Sequence, residues 1–301
     1  VGIVITLVGL AIILITMRDV IHELFHPEGT GSISRRVMKA TWHVVRAVCR
    51  VRPGAMQRAG PLILVAVAFV WAVLMVTGWA LVYLPRLPEG FLPEPGLPVH
   101  ERHGIWTAYY LSLANITTLG ASGLTAQIDG LRYASSIEAL VGFVMFSAWI
   151  TWVLSIYPVL AERRAFARQV GLLRAATPSP ARFVREAPES AVEAVMLSMT
   201  RQVLHVGVRL SQSHVTYYFQ GDSPDSTLAV QLPWLLALAR AAEGADSPGL
   251  RHHARMMRMA VEETLSGLGT QFLGLPEDAP PRTVIQALAR DHLIDVPELP
   301  E

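Results

Sequence analysis

Residues Trp106 to Gly142 read WTAYYLSLANITTLGASGLTAQIDGLRYASSIEALVG, and the architecture of the chain follows from them. A short apolar run leads into a Thr-Thr-Leu-Gly turn, a loop of small residues and a longer apolar run. A transmembrane helix needs about 20 apolar residues, and Trp106 to Ile116 supplies roughly half of that. Such a run enters a bilayer but does not cross it. Non-helical backbone is tolerated at membrane depth only where it is buried in protein or lines a water-filled cavity. The pattern predicts a re-entrant pore helix and a pore-lining loop.

The composition agrees with a membrane setting. With 52% hydrophobic residues, 16% charged residues and a mean hydropathy of +0.39, the 301 residues are too apolar for an ordinary soluble chain. Three spans are expected, at about residues 1–17, 62–84 and 133–160. Val1 to Met17 has no charge before it and Arg18 after it, the reverse of a signal peptide. Arg35, Arg36, Lys39, Arg46, Arg50 and Arg52 lie between the first two spans, whereas Pro85 to His103 carries Arg86 and Arg102 against Glu89, Glu94 and Glu101. The positive-inside rule then puts the N-terminus outside and the C-terminal part in the cytoplasm of a multi-pass inner-membrane protein. The arginines are dispersed beside apolar spans, so no nucleic-acid partner is expected. The lone Cys49 excludes an intrachain disulfide framework.

Between the spans, Ser32 to Arg52 alternates valines with cations at near-helical spacing. It reads as an amphipathic helix on the inner leaflet, or more plainly as a solvated connector. Pro85, Pro88, Pro93, Pro95 and Pro98 make an outer loop that cannot be helical. The domains expected are a first transmembrane helix (1–17), a basic amphipathic segment (18–60), a pore module (61–160) and a helical cytoplasmic domain (161–301). The last contains helices over Ala191 to Tyr217, from Asp225 to Ala242 with Pro233 kinking or shortening it, from Pro248 to Leu268, and from Pro281 to His292. The fold class is all-α, with no strand and glycine-rich turn to support a nucleotide-binding α/β domain.

Tyr109 and Tyr110, then Thr117, Thr118, Leu119 and Gly120, then Arg132, Glu138 and Gly142 resemble the pore module of tetrameric potassium channels and their two-transmembrane bacterial relatives. The resemblance covers roughly Val65 to Leu160. It departs from the family after Gly120, where Tyr-Gly-Asp is replaced by Ala121, Ser122 and Gly123. Either Ser122 takes the second Gly position or one residue is inserted and Gly123 takes it. The resemblance implies a homotetrameric cation channel in a lipid bilayer, with Thr117 to Gly123 as the ion filter and K+, with Na+ beside it, as permeant ions. It gives Tyr109, Tyr110 and Glu138 the role of bracing the filter, and makes Gly142 a gating hinge; a packing glycine is the alternative. A ring of backbone carbonyls replaces an ion's hydration shell. Without the family's Tyr behind it, the outer filter is expected to be wider and less selective. The cytoplasmic helices would assemble the subunits and take an unknown ligand.

Other classes compete. A non-conducting relative that serves as a receptor or scaffold would keep the fold and lose the filter. His22, Glu23, Leu24, Phe25 and His26 spell H-E-x-x-H, a zinc-protease motif, but Pro27 follows at once and no third ligand stands out. Gly120, Ala121, Ser122 and Gly123 match an intramembrane protease's serine motif, yet neither neighbouring span offers a histidine base. His252 and His253 beside Met256 and Met257 point in different directions along a helix. No enzyme activity, catalytic residue, cofactor or structural metal is expected.

Overall fold

The computed structural model describes residues 1–25, 31–49, 55–96, 98–120, 123–177, 179–220 and 227–294. The chain is an α-helical membrane protein in which three helices are long and apolar enough to cross a bilayer. It divides into two compact units. The first comprises residues 1–47 and 61–155, and the second comprises residues 48–60 and 156–301.

In the first unit, α1 (Gly2–Phe25) is followed by α2 (Ser32–Cys49), α3 (Ala59–Tyr83), strand β1 (Phe91–Pro93), the short α4 (Ile105–Ile116), strand β2 (Leu124–Ala126) and α5 (Asp129–Ala176). Helix α1 outruns the expected span of 1–17 and continues to Phe25, and a buried acid lies in its last two turns. Asp19 is 4% exposed. It accepts from the backbone N–H of Ile33 at 2.8 Å and of Ser34 at 3.0 Å, from the Ser34 hydroxyl at 2.5 Å and from the Trp71 indole at 3.1 Å. A carboxylate from α1 thus caps α2, filling two of the orphan donors at its first turn.

Helix α2 has two unlike sides, although Val44 and Val48, two of the valines in the amphipathic pattern, are exposed. Ser34, Met38, Trp42 and Val45 are buried on one side, while Arg36, Lys39 and His43 are exposed on another. Arg50 and Arg52, expected to close this helix, lie outside the described residues. The Pro-rich loop is largely non-helical as expected, and it also contains the unexpected β1, which pairs antiparallel with β2 in the register Phe91 to Ala126. Ile13, Met75, Trp79, Tyr83, Phe91, Leu111, Leu124 and Leu131 form the core cluster of this unit.

Close packing between α1 and α3 rests on two glycines. A Cβ on Gly9 would stand 2.5 Å from the Gly78 carbonyl oxygen, and one on Gly78 would stand 2.7 Å from Ile13. Small residues that let backbones approach are the usual way membrane helices associate.

The third expected span, 133–160, is part of the 48-residue α5, which passes through Pro158 without ending. The second unit holds the end of α5 with α6 (Pro180–Glu186), α7 (Glu189–Gln212), α8 (Leu228–Glu243), α9 (Pro248–Leu268) and α10 (Pro281–Asp291). Helix α7 is shorter than the predicted Ala191 to Tyr217, since His214–Tyr218 tightens into a 3-10 turn. Asp225 lies outside the described residues, and α8 continues through Pro233. Its residues are buried almost all round, as in a helix at the centre of a bundle. Met199, Val203 and Val206 of α7, Leu232, Leu235 and Leu238 of α8, Met257 and Val261 of α9, and Val284 and Ile285 of α10 fill this core.

Two glycine replacements should behave oppositely. Gly78→Leu is expected to destabilise by about 1–3 kcal/mol through overpacking. Gly171→Ala in α5, where a Cβ meets nothing within 4 Å, should stabilise by roughly 0.5–1 kcal/mol. Thermal unfolding of the detergent-purified protein separates the two.

Candidate functional site

Helix α4 covers the predicted pore helix almost residue for residue, and three groups hold it in place. Glu138 of α5 is fully buried. It accepts from the Tyr83 hydroxyl of α3 at 2.7 Å, from the Ser112 hydroxyl of α4 at 2.5 Å and from the Asn115 side-chain amide at 3.2 Å. A buried carboxyl is tolerated at such depth only if its acceptor sites are filled, and here three neutral donors fill them. Glu138 thus joins α5 to α3 and α4. Its partners Tyr83, Ser112 and Asn115 escaped the sequence reading. Their signal was the presence of Ser and Asn three residues apart in an otherwise apolar short helix.

Tyr109 is half-buried and its hydroxyl donates to Thr77 Oγ1 at 3.0 Å, which ties α4 to α3 by a second route. Tyr110 is 53% exposed in the single chain, and Trp106 is 82% exposed. Gly142 lies against the end of α4, where a Cβ would overlap the carbonyl of Ile116. This close approach accounts for a glycine by packing, and α5 is helical on both sides of it.

The loop after α4 has a one-sided hydrogen-bond pattern. The N–H of Thr117 donates to the Leu113 carbonyl, that of Thr118 to Asn115, and those of Leu119 and Gly120 both to Ala114, at 2.8 to 3.2 Å. The Thr117 hydroxyl also turns back, to Leu113, at 2.7 Å. The carbonyls of Thr117, Thr118, Leu119 and Gly120 accept no hydrogen bond among the described residues. All four residues are exposed. Thr118 has φ 58° and Gly120 has φ 69°, with Leu119 between them in the ordinary negative range.

A β-branched residue at positive φ is a real outlier, of the kind that gathers at functional sites. Beyond the loop Gly123, at φ 68°, accepts from the N–H of Glu94 at 2.8 Å, so the outer loop pins its far end. Ala121 and Ser122 lie outside the described residues, and so does the choice of register they carry, together with the serine-protease motif.

The remaining motifs form no metal cluster among the described residues. His26 lies outside the described residues, and no group of three His, Cys, Asp or Glu residues suited to a metal occurs among those described. Met257 is buried whereas Met256 is 41% exposed, so the His252–Met257 string straddles two sides of α9.

Comparison with known proteins adds little beyond the membrane assignment. No family model matches the chain. No solved structure matches either. Over 147 residues, 49% of this chain, it is 23% identical to "Uncharacterized membrane protein YdjJ" of Bacillus subtilis (strain 168). The matched part spans 42% of that relative's length.

Three substitutions probe the site. Tyr83→Phe, which removes one donor to Glu138, should cost about 1–3 kcal/mol of stability. Gly142→Ala should also destabilise, because the added methyl meets backbone and not a flexible side chain. Thr118→Gly should stabilise by roughly 1–2 kcal/mol, the left-handed cost of a residue with a Cβ. Unfolding midpoints in detergent check all three signs.

Proposed function

We propose that the chain is one subunit of a homotetrameric monovalent-cation channel with reduced K+ selectivity. The observation that carries this reading is the loop Thr117–Gly120, in which every N–H is consumed by α4 and every C=O is left without a partner among the described residues. An unpaired carbonyl at membrane depth is costly unless water or an ion meets it. Left-handed φ at alternate residues, Thr118 and Gly120, is the device that turns successive carbonyls toward one side. Repeated by symmetry about an axis, four such loops would coordinate a dehydrated cation.

Two further features support the reading. The most apolar stretch of α5 is 11% buried within one chain, against 39% for α3. Phe143, Phe146, Ile150 and Leu154 are among its exposed residues, so this helix has surface left for other copies and for lipid. Glu138 fixes α4 from behind and so fixes the height of the loop. In this proposal the pore is entered from outside, the N-terminus is outside, and the second unit is cytoplasmic. Ala121, Ser122 and Gly123 form the outer and less selective half of the filter, and Gly142 is the point where α5 would bend in gating.

Purified protein in liposomes should pass both K+ and Na+ with a reversal potential that discriminates weakly between them, and its mass should correspond to four chains. A silent protein would overturn conduction and leave a receptor or scaffold that keeps the pore-module fold. Clear preference for K+ would overturn the softened outer filter.

A further inference from the structure

We infer that a small cavity beside Arg163, in the second unit, is a binding site for a small oxyanion, a phosphate or a carboxylate. Arg163 lies on α5 and is half-buried. Its Nη1 donates to the Thr216 carbonyl at 2.7 Å and its Nη2 to the Phe219 carbonyl. Those two bonds hold the side chain across the 3-10 turn His214–Tyr218. They use two of its five N–H donors, and carbonyls leave its charge uncompensated.

No carboxylate pairs with Arg163 among the described residues, whereas the neighbouring Glu162 is met by His205 at 3.5 Å and Arg209 at 3.4 Å. A partly buried guanidinium with no counter-charge among the described residues is unusual, because buried charges are normally paired. Its planar fork matches carboxylate and phosphate oxygens.

The cavity it lines supplies the counter-charge's place. Tyr217, Gln220, Thr227, Leu228 and His292 are among the other walls, with no Asp or Glu among the described residues of the lining. Asp291 stands behind, where it accepts the Tyr217 hydroxyl at 2.7 Å. Gln220 is fixed by donating to the His292 carbonyl at 2.7 Å. Tyr217 is stacked on Phe272 at 4.2 Å and meets the His292 ring edge-on at 4.7 Å, so the walls are stiff.

Size decides the class. The cavity volume is about 30 Å³, and one water needs roughly 10–15 Å³ by the same measure. A nucleotide is excluded; an oxyanion of a few heavy atoms is the right scale. The site gives chemistry to the unknown ligand expected of the cytoplasmic helices, and it stands whether or not the pore conducts.

The test is thermal unfolding of the purified full chain in detergent, followed by intrinsic fluorescence. Sodium phosphate and sodium acetate are titrated separately at an ionic strength held constant with sodium chloride. A saturable rise of roughly 2 °C or more with one of the two anions is expected, and the anion that gives it assigns the class. Arg163→Lys, which keeps the charge but loses the fork, should weaken the apparent affinity at least tenfold. Ala229→Val, which adds volume to the lining without touching Arg163, should abolish the response and covers the case in which the Arg163 variant does not fold. No saturable rise with either anion, or an unchanged response in Ala229→Val, would overturn the site.

Discussion

The first unit is organised around the buried Glu138 carboxyl. It sits on α5, and the groups that satisfy it come from α3 and α4, so one side chain fixes three helices against each other. None of the donors is a cation. Hydroxyl and amide donors satisfy the oxygens at a fixed distance and direction, which suits a group whose task is position. Removing any one leaves a fully buried carboxyl short of a partner, so the arrangement tolerates little variation. The orientation of α4, and with it the backbone of Thr117 to Gly120, depends on this cluster.

Asp19 follows the same logic on α1. It too is buried, and it too is met by neutral donors: two backbone N–H groups, a serine and an indole. Both acids lie in or beside apolar helices where an unpaired charge would be expensive. Among the described residues, Asp19 and Glu138 are the buried acids of this unit, whose remaining interior is built from close glycine contacts and an apolar cluster.

Much of this was legible in the residues. The short apolar run from Trp106 to Ile116 is matched by α4 within a residue. The Ser247 and Pro248 pair marked the start of α9, and the Ser247 hydroxyl accepts from the Leu250 N–H as the motif requires. The same pair at Ser179 and Pro180 starts α6 and was passed over, since seven residues leave no periodicity to read. The strands β1 and β2 are three residues each and have no alternation long enough to register. Partners such as Tyr83 and Trp71 lie about fifty residues from the acids they satisfy, and spacing along one helix says nothing about a contact between helices. The one-sided bonding of the loop was likewise beyond reach, because it depends on φ values that Thr118 does not advertise.

The cap that Asp19 places on α2 has a consequence for how the membrane part is made. Synthesis delivers α1 before residues 33 and 34 exist, so the carboxylate first emerges with water as its solvating partner. Once α2 has wound its first turn, the helix end replaces that water and the Trp71 indole later closes over it. The polar end of α1 is thus completed only when its successor folds, and the order of translation becomes the order of burial.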